Sequence, residues 1–160
     1  MFCVSDSCEF SLDTNTAHRR LLLSEDNRTV TREGGGQEYP DHDDRFTDDD
    51  WPQVLSCTGL RGRCYWEVDW SGRVSIAVSY RGIRRSGEES RFGDNDQSWS
   101  VWLHDGRYRV CHNRKFTRLH RLSERVGVSS GRVGVSSGRV GVFSGRVGMS
   151  YGRVGVFPGL

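Results

Sequence analysis

Trp99-Ser100-Val101-Trp102-Leu103-His104-Asp105-Gly106-Arg107-Tyr108-Arg109-Val110-Cys111 is the stretch that decides the fold class. In an extended chain Trp99, Val101 and Leu103 fall on one side, and Ser100, Trp102 and His104 on the other. That two-residue period marks a half-buried strand. Asp105-Gly106 follows, a pair favoured where both central turn residues take positive φ, and Arg107–Cys111 returns as the second strand.

The same alternation recurs upstream. Cys64, Trp66, Val68 and Trp70 alternate with Tyr65, Glu67 and Asp69. Ser71-Gly72 reads as a turn, and Val74, Ile76, Val78 and Tyr80 alternate with Ser75, Ala77 and Ser79, so a second hairpin is expected. Arg20–Leu23, the turn formers of 24–28 and Thr29–Thr31 make a third strand–turn–strand. Apolar spacing at three and four residues is weak, so little helix is expected. Short strands with turn signals between them predict an all-β, two-sheet antiparallel sandwich.

Size and composition bound the function. The chain has 160 residues, which suits one domain, and aromatics make up 11%, enough for a core. Mean hydropathy is −0.64, and no apolar run approaches the ~20 residues a spanning helix needs. The start, Met1-Phe2-Cys3-Val4-Ser5-Asp6, lacks the basic and apolar blocks of a secretion signal, so a cytoplasmic setting is the expectation. The five cysteines are irregularly spaced and odd in number, which favours free thiols over a disulfide framework.

Charge is unevenly distributed. Residues 1–124 hold 18 basic and 21 acidic side chains, a net of −3, and the overall +2 comes from five arginines after Glu124. Residues 33–50 carry eight acidic residues against Arg45 alone, and residues 81–98 form a second loop with Arg81, Arg84, Arg85 and Arg91. After 124, Arg-Val-Gly-Val/Met recurs at 125, 132, 139, 146 and 153. Two glycines per unit argue against a coiled coil. An odd interval sends successive copies of one continuous strand to opposite faces. The first copy reads as one strand, and residues 129–160 as a low-complexity, disordered or loosely extended tail.

These residues carry a resemblance. Ser11-Leu12-Asp13-Thr14-Asn15-Thr16-Ala17-His18 resembles the Leu-Asp-Pro signature that opens PRY–SPRY domains, with Thr14 where proline is usual. Arg19–Asp26 continues it, and Trp51-Pro52-Gln53-Val54-Leu55 resembles the lead into the SPRY part. Gly62–Asp69 is similar to the Trp-Glu-Val-Glu signature, with Asp69 for the last glutamate; Ala77–Arg85 and Ser98–Trp102 also fit. The resemblance covers 9–128, with PRY at about 9–60 and SPRY at about 61–128. It is nearest to fish versions at the ends of NOD-like receptors and tripartite-motif proteins. Where the family continues after Arg-Val-Gly-Val with Leu-Asp-Tyr-Glu and further core strands, this chain has Ser129-Ser130 and the heptads, so a C-terminally truncated sandwich is expected.

Catalytic chemistry finds little footing. Residues 9–124 hold no Gly-x-Ser-x-Gly elbow, and the matches at 127–131, 134–138 and 148–152 fall in the low-complexity heptads, where no strand-to-helix turn is expected. Cys111 and His112 are neighbours on a strand and point to opposite faces. The cysteine and histidine spacings do not match zinc sites, and the 41–50 carboxylates lack EF-hand order. Gly34-Gly35-Gly36 is followed by Gln37-Glu38, not by the lysine a phosphate cradle uses. No catalytic residue, metal or small-molecule cofactor is assigned.

The expected function is therefore a non-catalytic protein-recognition module with no membrane role, in an innate-immune receptor or ubiquitin-ligase-type protein. Its ligand would be a protein held by loops on a rigid scaffold. The resemblance puts Tyr80, Arg81, Arg84, Arg85, Trp102 and His104 on the ligand surface. On this reading the acidic loop selects basic partners and the 81–85 turn acidic ones. Trp102 is left at the surface if Trp99, Val101 and Leu103 face the core; the plainer reading is that the second sheet or the PRY segment covers it. Two alternatives stand beside this: a truncated fragment with no function, and RNA binding through the basic strand face of 101–125, which carries seven basic residues against Asp105 and Glu124, together with the arginine-rich tail.

Overall fold

The computed structural model describes residues 11–60, 68–104, 107–119, 128–131, 138–143, 146–148 and 156–159. In chain order the strands are β1 (Leu21–Leu23), β2 (Thr29–Arg32), β3 (Gln53–Leu60), β4 (Asp69–Ser71), β5 (Val74–Ser79), β6 (Ser98–His104), β7 (Arg107–His112), β8 (Lys115–Leu119), β9 (Val128–Gly131), β10 (Gly138–Phe143), β11 (Arg146–Gly148) and β12 (Val156–Gly159). Among the described residues a 3-10 turn spans Glu88–Ser90. Trp66 with most of its signature, the Asp105-Gly106 turn and the first heptad copy up to Gly127 lie outside the described residues.

An antiparallel six-stranded sheet runs β3-β10-β5-β6-β7-β8, and a four-stranded one runs β1-β2-β11-β4. β9 and β12 form a separate parallel pair. The deciding hairpin forms in the expected register, Trp99 opposite His112 and His104 opposite Arg107, which leaves two residues for the turn. β1 and β2 pair as expected, Leu21 opposite Arg32. Their turn is closed by Asn27 at φ 54, with the Ser24 hydroxyl donating to the Asp26 carboxylate.

One expected hairpin does not form. β4 joins β11 in the four-stranded sheet, while β5 lies between β10 and β6 in the other. The chain crosses between sheets at Gly72, whose φ of 76 suits glycine. The heptad segment also differs from expectation. It supplies β10 to the middle of one sheet and β11 to the middle of the other, in place of a disordered or loosely extended tail. The copies at 139 and 146 instead fall in separate strands, β10 and β11, of different sheets.

Both faces of the six-stranded sheet are used. On one face Val54, Val74, Ile76, Val78, Val101 and Tyr108 pack against Leu12, Ala17, Leu21, Leu23, Val30 and Val68 between the sheets. On the other, Leu55 and Ala77 are roofed by Phe46, Trp51, Ile83 and Phe92 from the long loops. Phe46 and Phe92 meet edge-on, with centroids 5.5 Å apart. Each such side chain contributes about 1.5–3 kcal/mol by leaving water.

Polar clamps tie the roof down. The fully buried Gln53 amide donates to the Ser90 carbonyl (2.9 Å) and accepts from the Phe92 N–H (2.7 Å). The Gly93 N–H donates to the Ser98 hydroxyl at 2.8 Å. Arg45, the lone arginine of the acidic loop, is 4% exposed. Its guanidinium donates to the carbonyls of Thr14, Ala17 and Pro40 at 2.6–2.8 Å. It stitches the loop to the first segment rather than meeting solvent.

Candidate protein-binding surface

The six residues expected on one surface separate into two zones. β5 and β6 run antiparallel with Ser79 opposite Ser98 and Val74 opposite Leu103. Tyr80 and its turn therefore lie at the opposite end of the sheet from Trp102 and His104.

At the first end, the turn exposes Arg81 and Arg84 and turns Ile83 and Arg85 inward. Arg81 pairs with Asp44 at 3.3 Å. Arg85 is only 14% exposed in its side chain. It donates to the Asp44 and Arg81 carbonyls, both at 2.8 Å, and lies 4.9 Å over the Phe46 ring. Arg85 is a strut beneath the roof, and that takes it off the surface. Asp44 of the acidic loop meets the 81–85 turn, while Asp41 pairs with Arg19 and Asp49 with Arg20 of the first segment. Arg84 remains mostly exposed, beside Glu89 at 3.2 Å. Tyr80 is half-buried, edge-on to Trp99 at 6.1 Å, and Trp99 stacks on His112 at 4.4 Å. A polar cleft of about 500 Å³ opens here, lined among others by Arg84, Asp94, Asn95 and Arg114.

At the other end Trp102 is half-buried. Its indole N–H donates to the Ser100 hydroxyl at 3.0 Å. The Arg91 guanidinium lies 4.2 Å from its ring centre and 3.5 Å from that of Trp51, so the cation is sandwiched by two indoles. Asp94 holds the same guanidinium at 3.3 Å. Burial lowers the Arg91 pKa, and Asp94 opposes that shift. Phe116 meets Trp102 edge-on at 5.8 Å and is 50% exposed. Trp102 is thus neither free in water nor covered by the second sheet: a loop arginine covers one side and fixes the ring. His104 holds its β6 position opposite Arg107, and its side chain is outside the description.

Arg91 and Phe116 are the partners that sequence reasoning missed in this role. Arg91 sits in a loop with no periodicity to mark it. Phe116 had a signal, because it follows the turn after Cys111 and lies opposite that residue. Cys111 itself is buried with its thiol against the Gly93 carbonyl (3.2 Å), and burial raises its pKa to about 11. His112 points to the other face against Trp99, so the two neighbours do not pair. Among the described residues no cluster of three or more His, Cys, Asp or Glu could hold a metal ion. Among them, too, no helix is long and apolar enough to cross a membrane.

Comparison with known proteins follows the same lines. Residues 10–60 match PRY, the SPRY-associated domain. Neoverrucotoxin subunit beta of Synanceia verrucosa is 41% identical over 115 residues, which are 70% of this chain and 16% of that protein. Tripartite motif-containing protein 16 of Mus musculus is 38% identical over 118 residues, 71% of this chain and 21% of that one. The chain spans about a sixth to a fifth of these relatives. The crystal structure of the TRIM65 PSpry domain superposes with a TM-score of 0.71 at 20% identity, covering 92% of each chain.

Proposed function

We propose, from the premise that this chain belongs to the PRY–SPRY family, that it is a non-catalytic module that recognises a protein partner, carried in the cytoplasm by a larger innate-immune or ubiquitin-ligase-type protein. Membership supports the general part, since SPRY domains of tripartite-motif proteins are protein-interaction modules. The immune and cytoplasmic setting is our extension. Toxin subunits are as similar to this chain as tripartite-motif proteins are. The module reading rests on the domain they have in common.

The observation that carries it is Trp102. Its ring is held by Arg91 and Ser100 beside a half-exposed Phe116. A preset aromatic next to arginine is the composition of a binding hot spot. Holding the ring in place beforehand lowers the entropy lost on binding. On this reading Trp102 and His104 form the principal zone, and Tyr80, Arg81 and Arg84 a second one at the far end of the same strands.

The test is selection of peptides from a displayed random library against the full chain. We expect the selected binders to lose at least tenfold in affinity on Trp102→Ala, with the far-ultraviolet circular dichroism retained. Binders indifferent to Trp102→Ala and to substitutions in the Tyr80–Arg84 turn would sink the reading.

A further inference from the structure

The register aligns three arginines with Trp102 on the roof-side face. Trp102 lies opposite Arg109, Arg109 opposite Arg118, and His104 opposite Arg107. Two-residue alternation then puts Arg107, Arg109 and Arg118 on the face of Trp102, and the Trp102–Phe116 ring contact verifies that parity. All three arginines are exposed.

Their electrostatic setting differs from that of seven other described arginines. Arg19, Arg20, Arg81, Arg84, Arg85, Arg91 and Arg114 each pair with an acid. Arg107, Arg109 and Arg118 have no acidic partner among the described residues. Arg109 and Arg118 also face each other across the β7–β8 ladder, where like charges destabilise. A carboxylate bridging them would relieve that repulsion. Charged residues do guard exposed edge strands against association. That accounts for Lys115 and Arg118 on β8, the edge strand, but not for Arg107 and Arg109, one strand in.

We propose that the open face of β6–β8 docks an acidic, extended protein segment. Its carboxylates would meet Arg107, Arg109 and Arg118, and its apolar side chains would meet Trp102 and Phe116. This deepens the module reading above and rests on it. Among the described residues β8 ends the sheet, and its outer edge offers backbone groups that such a segment extends as a further strand. Charge complementarity favours an acidic protein over nucleic acid. Residues 1–124 carry 18 basic and 21 acidic side chains, so the body lacks the broad positive field that gathers phosphates. A local row of three cations suffices for a short segment.

The test uses the full chain and fluorescence anisotropy with labelled (Glu-Val)6, (Lys-Val)6 and a twelve-nucleotide oligouridine. We expect (Glu-Val)6 to bind most tightly. The double variant Arg109→Glu/Arg118→Glu should weaken it at least tenfold at unchanged Tm and gain binding to (Lys-Val)6. Oligouridine binding tighter than (Glu-Val)6, or (Glu-Val)6 binding unaffected by the double variant, would overturn the proposal. The library binders separate the two readings. Binders lost on Trp102→Ala or Phe116→Ala but untouched by the double variant leave the module and remove the acidic ligand. Binders indifferent to all three variants and to the Tyr80–Arg84 turn remove both.

Discussion

The roof-side face of the six-stranded sheet is divided into two unlike halves. Over β3 and β5 the loops lay down Phe46, Ile83 and Phe92, each at most 3% exposed, and clamp them with the buried Gln53 amide. Over β7 and β8 the loop at Gly93 covers Cys111, and beyond it Phe116, Arg109 and Arg118 face solvent. The difference teaches where this protein stores stability and where it leaves surface for use. Apolar area removed from water holds the first half together. In the second half, a repulsive pair of arginines is tolerated at some cost to the free protein.

The largest effect should come from removing the strand on which the covered half depends. β10 lies between β3 and β5, with Gly141 opposite both Leu55 and Ala77. A chain ending at Ser137 leaves two strands unpaired in the middle of a sheet, and native stabilities of about 5–15 kcal/mol do not survive that loss. We expect no cooperative thermal transition, read by circular dichroism, where the full chain gives one. An equally sharp transition at the same midpoint would mean that the heptad strand is dispensable.

Next in size is a single added methyl. Gly93 has φ of 93, and a Cβ there would stand 2.3 Å from the Ser100 hydroxyl oxygen, 3.0 Å from the Cys111 Cβ and 3.1 Å from its carbonyl. The hydroxyl can turn away, but the strand backbone cannot. With the left-handed φ added, Gly93→Ala should cost about 3 kcal/mol or more, or roughly 10 °C in Tm. A melting point within about 2 °C of the parent would show that the loop is not held at this distance from β6 and β7.

Much of this division was legible in the sequence, and the illegible part has physical causes. Alternation alone assigned β6 and β7 and set Val101 against Trp102. It could not find the roof, because Phe46, Arg91 and Phe92 lie in loops where no period constrains them, and only tertiary contact brings them together. It joined β4 to β5 because two alternating runs around a glycine look alike whether they pair or cross between sheets. Val147, the residue opposite Trp70, lies 77 positions further along the chain, beyond any local signal. The candidate site suffered in the same way. Arg85 and Trp102 look equally available in a list of residues, yet Arg85 is consumed by Asp44 and Phe46 while Trp102 is half-buried between Arg91 and Phe116.

A smaller effect tests the covered half by pH. His18 is 4% exposed; its N–H donates to the Gln53 carbonyl at 3.0 Å, and its Nδ1 accepts the Arg20 N–H at 3.0 Å. Burial lowers its pKa, with Asp49, 3.5 Å from Nε2, pulling the other way. The folded state therefore takes up the proton later than the unfolded chain. Stability from this group is whole above the unfolded value near 6.5 and falls as pH drops from there through the folded value. Denaturant midpoints should decline over that window by no more than the one-proton limit of about 1.4 kcal/mol per pH unit, and His18→Gln should flatten the decline. A His18→Gln profile identical to the parent's would assign the slope to other groups.

The smallest expected effect is the most pointed, because it asks whether the open half is truly open. Phe116 is as apolar as Phe92, but it is half exposed and touches Trp102 edge-on, while Phe92 is 1% exposed and wedged against Phe46. Truncating Phe92 leaves a cavity and forfeits buried area, about 3–5 kcal/mol. Truncating Phe116 removes one ring contact and leaves no void, so Phe116→Ala should alter stability by no more than about 1 kcal/mol. The same residue type, on the same face of one sheet, would then differ severalfold through its cover alone. Equal losses in urea unfolding would mean that some part of the chain roofs β7 and β8 as well, and the arginine row would no longer be a surface.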